Sequence, residues 1–156
     1  MPANDLMRRN VAILAICLAL MMSATSLVII TSALVGVILA PNRVWATVPL
    51  ACMFIGSLSC AFPASLLMKR IGRRAGFSVG LVFALIGAVI ATLGLLERSF
   101  FLFCVGSLLI GLFNGFGQFY RFAAADVATE AYRSRAISWV MAGGVVAAFV
   151  GPNLAN

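Results

Sequence analysis

Long runs of uncharged residues alternate with short charged clusters along the whole chain. The uncharged runs cover residues 10–42, 44–68, 75–96, 99–120 and 136–156. Each run is at least as long as the ~20 apolar residues that a helix needs to cross a bilayer, and the ~10-residue alternating segments of a membrane β-barrel are missing. The pattern therefore predicts an all-α membrane protein with five transmembrane helices.

The charged clusters, together with prolines and glycines near them, set the predicted bounds. We predict a polar cytoplasmic tail at 1–10 and a helical bundle at 11–156, with spans at 11–40, 44–68, 76–96, 100–127 and 136–156.

Composition agrees with a membrane location. Apolar residues make up 63% of the 156 residues and charged residues 10%, against ~45–50% and ~25% in an ordinary soluble domain. The net charge of +7 would suit nucleic acid in a soluble protein, but here the cations flank membrane spans. We therefore expect the lipid bilayer as a partner, and no nucleic acid.

The positions of the cations predict which way the chain faces. The opposite connections carry only Arg43 and Arg98, and Arg121 falls near the end of the fourth span. Eight of the eleven Lys and Arg residues would lie on the side of the N-terminus: Arg8, Arg9, Lys69, Arg70, Arg73, Arg74, Arg133 and Arg135. Because cytoplasmic loops are enriched in Lys and Arg, this side is predicted to face the cytoplasm across an inner or plasma membrane.

Residues with catalytic or metal-binding chemistry are scarce. The four cysteines, Cys17, Cys52, Cys60 and Cys104, fall inside predicted spans without a C-x-x-C pair, and histidine is absent. We therefore expect no metal or redox cofactor, and we interpret the cysteines as small packing residues. The sequence also lacks a nucleophile–base set and a phosphate loop in any polar segment, so we do not expect an enzyme.

Small residues recur at four-residue spacing in the third and fifth spans, which predicts close helix packing. They are Gly80, Ala84 and Ala88, then Gly87 and Ala91, in the third span, and Gly143, Ala147 and Gly151, followed by Pro152, in the fifth. We predict that the set in the fifth span forms a helix interface with a bend at the proline.

The first span has a hydroxyl-rich middle, formed by Ser23, Thr25, Ser26, Thr31 and Ser32. These hydroxyls can line a solute path. In membrane helices, however, hydroxyls more often bond to their own backbone or to a neighbouring helix, and we prefer this interpretation.

Three polar side chains near the end of the fourth span are the best candidates for a solute or ion pathway. Asn114, Gln118 and Arg121 are spaced i, i+4 and i+7, which places them in a polar stripe on one face of a continuous helix. An arginine inside the membrane is costly and normally faces a bundle interior or a water-filled cavity. The alternative is that Arg121 reaches the headgroups or pairs with a carbonyl or an acid for structure alone. The sequence leaves both interpretations open.

A basic segment, Lys69–Arg74, connects the second and third spans. From Ser65 to Arg74 the sequence is S-L-L-M-K-R-I-G-R-R, which resembles the G-x-L-x-D-R-x-G-R-R loop of the major facilitator superfamily. The matching residues are Leu67, Arg70, Gly72, Arg73 and Arg74. The resemblance covers the chain from the first to the fifth span. It implies two six-helix halves that rock about a central site, of which this chain would supply helices 1–5 of the N-terminal half.

Two residues of this loop depart from the family pattern. Ser65 replaces the leading glycine, and Lys69 replaces an acid that the resemblance implies latches the two halves together. The resemblance also implies that Asp126 occupies an acid position at the cytoplasmic end of helix 4, where we expect it to meet the basic segment. The predicted gating residues are Lys69, Arg70, Gly72, Arg73, Arg74 and Asp126.

The fifth span resembles a reduced form of the superfamily's antiporter motif, G-x-x-x-G-P-x-x-G-G. Ala147, Gly151, Pro152, Ala155 and Asn156 occupy its positions, so Gly-Pro alone matches strictly. The match favours export by proton exchange, but spans 1–3 lack an embedded carboxylate that would support it. Import and export both stay open.

The resemblance implies secondary active transport of a small organic solute by alternating access, coupled to an ion, with protons as the candidate. The solute path forms between two halves, so the C-terminal half is an expected partner and the chain should be inactive alone. The alternative is a small multi-span membrane protein, without transport activity, that acts as an assembly or regulatory partner.

Overall fold

The structure, a computed structural model, describes residues 2–128, 134–135, 137–139 and 141–144. Its regular elements within these ranges are all helical, which confirms the all-α prediction. They are α1 (Pro2–Leu39), a short 3-10 turn (Arg43–Trp45), α2 (Val48–Ile71), α3 (Arg73–Leu96), α4 (Phe100–Gly117) and α5 (Tyr120–Val127).

Four stretches of the described chain are long and apolar enough to cross a membrane: Arg9–Leu39, Val48–Ile71, Arg73–Leu96 and Phe100–Asp126. The residues predicted as a polar tail belong to the first helix, because α1 begins at Pro2. Most of the predicted fifth span, 136–156, lies outside the described residues. Those that are described between 134 and 144 are helical.

The chain divides into two compact units. The larger unit, Val28–Gly117, contains the second part of α1 together with α2, α3 and α4. The smaller unit combines Met1–Leu27 with Gln118–Asn156, and its described helices are the first part of α1, α5 and the helical residues between 134 and 144.

In the larger unit, α4 packs directly on the backbone of α2. A methyl group on Gly56 would overlap the carbonyl oxygen of Leu108, and one on Gly111 would overlap the carbonyl oxygen of Met53. Glycine allows this approach because it places no side chain between the two helices, which is a common form of packing in membranes.

The other side of α4 packs on buried glycines of α3. Gly80, Gly87 and Gly94 recur every seven residues, and a methyl group on Gly94 would lie 2.6 Å from the amide nitrogen of Phe103. Of the predicted sets with four-residue spacing, Gly87 and Ala91 lie at this contact, since a methyl group on Gly106 would lie 2.7 Å from the Cβ atom of Ala91. Ala88, of the other set, is exposed. Residues seven apart differ by only ~20° in direction around a straight helix, whereas residues eight apart differ by roughly 80°. Residues with seven-residue spacing therefore stay on one face over a longer contact.

Many large apolar side chains lie on the outside of these helices. Leu58 and Phe101, for example, are each 77% exposed. In a soluble protein such a surface would aggregate, but in a bilayer it is the surface that the lipid tails contact.

A single glycine connects α2 to α3. Gly72 has φ 85° and ψ 159°, a conformation that essentially only glycine adopts. Its amide donates a hydrogen bond to the Met68 carbonyl (3.0 Å), and its carbonyl accepts one from the Gly76 amide (3.1 Å). A side chain at this position would meet nothing within 4 Å, so the need for glycine comes from the backbone alone.

We predict that Gly72→Ala lowers the free energy of unfolding by about 1–3 kcal/mol, because alanine is strained at this φ and ψ. The measurement is thermal or denaturant unfolding of the purified protein in detergent. The matched control is Gly144→Ala, whose methyl group would make ordinary contacts with Leu18 and Met22 at 3.8 and 3.9 Å. Equal stability of the two variants would contradict the prediction.

We predict that Gly111→Ala destabilises the contact between α2 and α4. The added methyl group meets the Met53 carbonyl, and a helix backbone can yield only by moving the whole helix. Overpacking of this kind costs about 1–3 kcal/mol and occasionally more. The same unfolding assay measures it against Gly144→Ala, and a Gly111→Ala protein with unchanged stability would show that the helices are not in this close contact.

Candidate functional site

The fourth membrane-crossing stretch, Phe100–Asp126, is interrupted inside the span. Helix α4 ends at Gly117, Gln118 and Phe119 form a turn, and α5 begins at Tyr120. At a rise of ~1.5 Å per residue, the turn lies roughly 8 Å from the middle of the stretch. The polar stripe was predicted on a continuous helix, and that assumption is wrong at this turn.

Two closely spaced glycines just before the turn weaken the helix at this point. Gly115 and Gly117 stand in the run Asn-Gly-Phe-Gly, and each glycine is about 1 kcal/mol less favourable than alanine in a helix interior. Non-helical backbone at membrane depth is tolerated only where it is buried in protein or lines a water-filled cavity. The turn therefore marks this part of the chain as a candidate solute-binding region.

The three residues of the polar stripe differ in their surroundings. Asn114 belongs to α4 in the larger unit and is buried, with 7% of its surface exposed. Gln118 and Arg121 belong to the smaller unit and are exposed. The structure does not carry the three on one uninterrupted helix face, and a site shared by all of them stays a prediction.

Arg121 contacts an aromatic ring, which the sequence analysis missed. The guanidinium carbon of Arg121 lies 5.0 Å from the centre of the Phe122 ring. The rings of Phe119 and Phe122 are 6.1 Å apart and inclined at 47°. A cation over a ring contributes ~0.5–1 kcal/mol at an exposed site. The run Phe-Tyr-Arg-Phe from 119 to 122 was the available signal, and we call Gln118, Phe119, Arg121 and Phe122 the turn cluster.

Most described hydroxyls of α1 bond to their own helix, as the sequence analysis preferred. Thr25 donates to the Met21 carbonyl at 2.8 Å, and Ser26 donates to the Met22 carbonyl at 3.0 Å. Ser32 differs, because it is 1% exposed and its hydroxyl oxygen has no hydrogen-bond partner among the described residues. It is therefore a further candidate for contact with a solute.

The cations of the basic segment divide between two helix ends. Lys69 and Arg70 lie in the last turn of α2, where the partial negative charge of the helix end favours a cation by ~0.3–1 kcal/mol. Arg73 and Arg74 begin α3, where the partial charge is positive. Arg73 is partly exposed and the other three are exposed.

Asp126 is exposed near the end of α5, in the smaller unit, whereas the basic segment belongs to the larger one. Contact between them stays a prediction.

Of the predicted interface residues in the fifth span, Gly143 is described. A methyl group on Gly143 would lie 2.9 Å from the carbonyl oxygen of Ala15 in α1. The other three, Ala147, Gly151 and Pro152, lie outside the described residues. Gly143 therefore occupies a close helix contact within the smaller unit.

The described part of the chain contains no cluster of three or more metal-ligating side chains. The four cysteines, Cys17, Cys52, Cys60 and Cys104, are free thiols.

Comparison with known proteins places these features in a family. Residues 10–156 match the sugar (and other) transporter family. The chain is similar to the riboflavin transporter RfnT of Brucella anthropi, with 42% identity over 147 residues that cover 94% of this chain and 37% of that protein.

The chain is also similar to two Bacillus subtilis proteins named as uncharacterized MFS-type transporters. Identity to YddS is 32%, covering 78% of this chain and 29% of that protein, and identity to YdeG is 30%, covering 72% and 26%. The chain thus spans between 26% and 37% of the length of the curated relatives it matches. No solved structure matches it.

Proposed function

The chain belongs to the sugar (and other) transporter family of the major facilitator superfamily, and on this premise we propose that the protein carries a small organic solute across the cytoplasmic membrane by alternating access. Transporters of this superfamily consist of two six-helix halves that rock about a site near the bilayer midplane. The path is proposed to form with helices beyond those of this chain, and a proton is the proposed coupling ion. The named relatives are transporters, which favours transport over catalysis or an assembly role.

The observation that carries this proposal is the helix interruption at Gln118 and Phe119. Substrate sites in secondary transporters are typically formed by discontinuous membrane helices, because the turn leaves backbone groups free to bind a solute or an ion. In this chain the interruption stands beside exposed amide and guanidinium groups. We therefore assign solute contact to the turn cluster. Asn114 and Ser32 belong to the larger unit and stay separate candidates for solute contact.

We propose a flavin or a similar planar, oxygen-rich ring as the first candidate solute, because the similar protein of Brucella anthropi is named as a riboflavin transporter. The turn cluster has suitable chemistry. Phe119 and Phe122 present ring faces on which a planar solute can stack, for ~0.5–1.5 kcal/mol per ring pair. Gln118 and Arg121 supply N–H donors for ring carbonyls.

The proposal is tested by uptake of radiolabelled riboflavin into cells that express the complete protein, with sugars and other heterocycles as competitors. Saturable uptake that flavins compete for is the expected result. Transport of another solute in place of flavins would overturn the flavin assignment and leave transport standing. A lack of solute-dependent flux across the whole panel would overturn transport itself.

We predict that Arg121→Gln raises the KM for riboflavin uptake about tenfold or more, because a hydrogen bond from a charged donor contributes ~1.5–3 kcal/mol. The matched control is Arg98→Gln, which removes an exposed arginine from the turn between α3 and α4. The KM of the control should not change. If both variants have the parental KM, Arg121 does not contact the solute.

We further predict that Asp126 pairs with the basic segment in one conformation of the transport cycle. Asp126→Asn should then shift the equilibrium between the conformations of the transport cycle, because asparagine carries no negative charge to attract the basic segment. Accessibility of introduced cysteines on the two sides of the membrane measures the shift. The matched control is Glu97→Gln, an exposed acid at the end of α3. Unchanged stability, transport and accessibility in Asp126→Asn would show that the pair does not form.

A further inference from the structure

An open groove lies in the smaller unit. The residues that line it are not part of the proposed solute path. Its volume is ≈320 Å³, and it is lined by Ser134, Arg135, Ser138, Trp139 and Ala142. Two rows with four-residue spacing meet there, since 134, 138 and 142 form one row and 135 and 139 form the next. The groove therefore combines a cation, hydroxyls and an aromatic ring on one side of a short helical segment.

The chemistry of this groove suits a phosphate group joined to an apolar body. Arg135 is exposed, and its guanidinium can donate two parallel hydrogen bonds to a phosphate. Ser138 donates its hydroxyl proton to the Ser134 carbonyl at 3.0 Å, which leaves the Ser134 hydroxyl as the second donor at the groove. Trp139 is 63% exposed and presents a large apolar ring beside these donors.

The position of the groove favours a membrane lipid over a soluble anion. Arg135 directly precedes the predicted fifth span, on the side where the positive-inside rule places the cytoplasm. Tryptophan is enriched at the level of the lipid headgroups, and arginine reaches that level along its apolar stem. The chain's net charge of +7 also complements an anionic leaflet.

We propose that this groove binds the phosphate headgroup of an anionic phospholipid in the cytoplasmic leaflet, with Arg135 on the phosphate and Trp139 at the boundary between headgroup and acyl chains. The site is independent of the transported solute. It anchors the start of the fifth membrane segment at a fixed depth in the bilayer.

Fluorescence quenching tests this site directly, because the chain contains only two tryptophans, Trp45 and Trp139. The whole chain carrying Trp45→Phe is reconstituted into phosphatidylcholine vesicles with brominated phosphatidylglycerol or brominated phosphatidylcholine. Half-maximal quenching of Trp139 should need about fivefold less of the brominated anionic lipid, the factor that corresponds to ~1 kcal/mol for one arginine near an anionic surface.

Variants identify the residue responsible for the preference. In the same background, Arg135→Gln should abolish the fivefold preference, Arg135→Lys should keep most of it, and the matched control Arg98→Gln should keep all of it. Raised salt should weaken the preference in the Trp45→Phe protein, because exposed charges are screened. This salt test needs no substitution at Arg135.

Three results would overturn the proposal. Equal quenching by the two brominated lipids would mean that the groove has no preference for an anionic headgroup. A preference that survives Arg135→Gln would place the lipid elsewhere. Loss of the preference on addition of soluble glycerol phosphate at millimolar concentration would assign the groove to a soluble anion in place of a lipid.

Discussion

Close backbone contact between α4 and its two neighbours is the constraint on which the larger unit depends. Lipid tails are as apolar as leucine, so helices in a membrane associate through van der Waals packing and hydrogen bonds. At Gly56, Gly94 and Gly111 the facing helices touch at their backbones, which allows many dispersion contacts over the shared length. Because glycines form these contacts, the large apolar side chains can face lipid. The packing extends along α4, which ends at Gly117.

The polar part of the fourth span begins where this packing stops. Gln118 and Arg121 follow the end of α4 in the sequence and begin a polar and aromatic segment. A turn and a cation at this depth both cost free energy in lipid. Such a cost is retained where the groups line a water-filled path, which supports the proposed solute contact at the turn.

The helical architecture was predictable because the bilayer sets a minimum length for an apolar run. The packing face of α3 was predictable only in part. Gly87 and Ala91 lie against α4 as predicted, but Ala88 does not, because small residues recur at both four-residue and seven-residue spacing and the position of the neighbouring helix decides which of them it contacts. The end of α4 was missed for a related reason. Isolated glycines such as Gly115 are common in membrane helices, and the residues after Arg121 contain neither glycine nor proline up to Ala128. The run Phe-Tyr-Arg-Phe indicated that rings lie near Arg121, but which ring its guanidinium contacts depends on side-chain conformations.

Lys69 changes the balance of charge at the connection between α2 and α3. Lys69 and Arg70 meet the partial negative charge at the end of α2, but Arg73 and Arg74 stand at the positive end of α3. An acid at position 69 would offset one of those arginines, whereas the lysine adds to the repulsion. Because charges are screened beyond ~8 Å at physiological salt, the balancing anion must come close to the segment. In the proposed pair with the basic segment, Asp126 would supply such an anion in one conformation of the transport cycle.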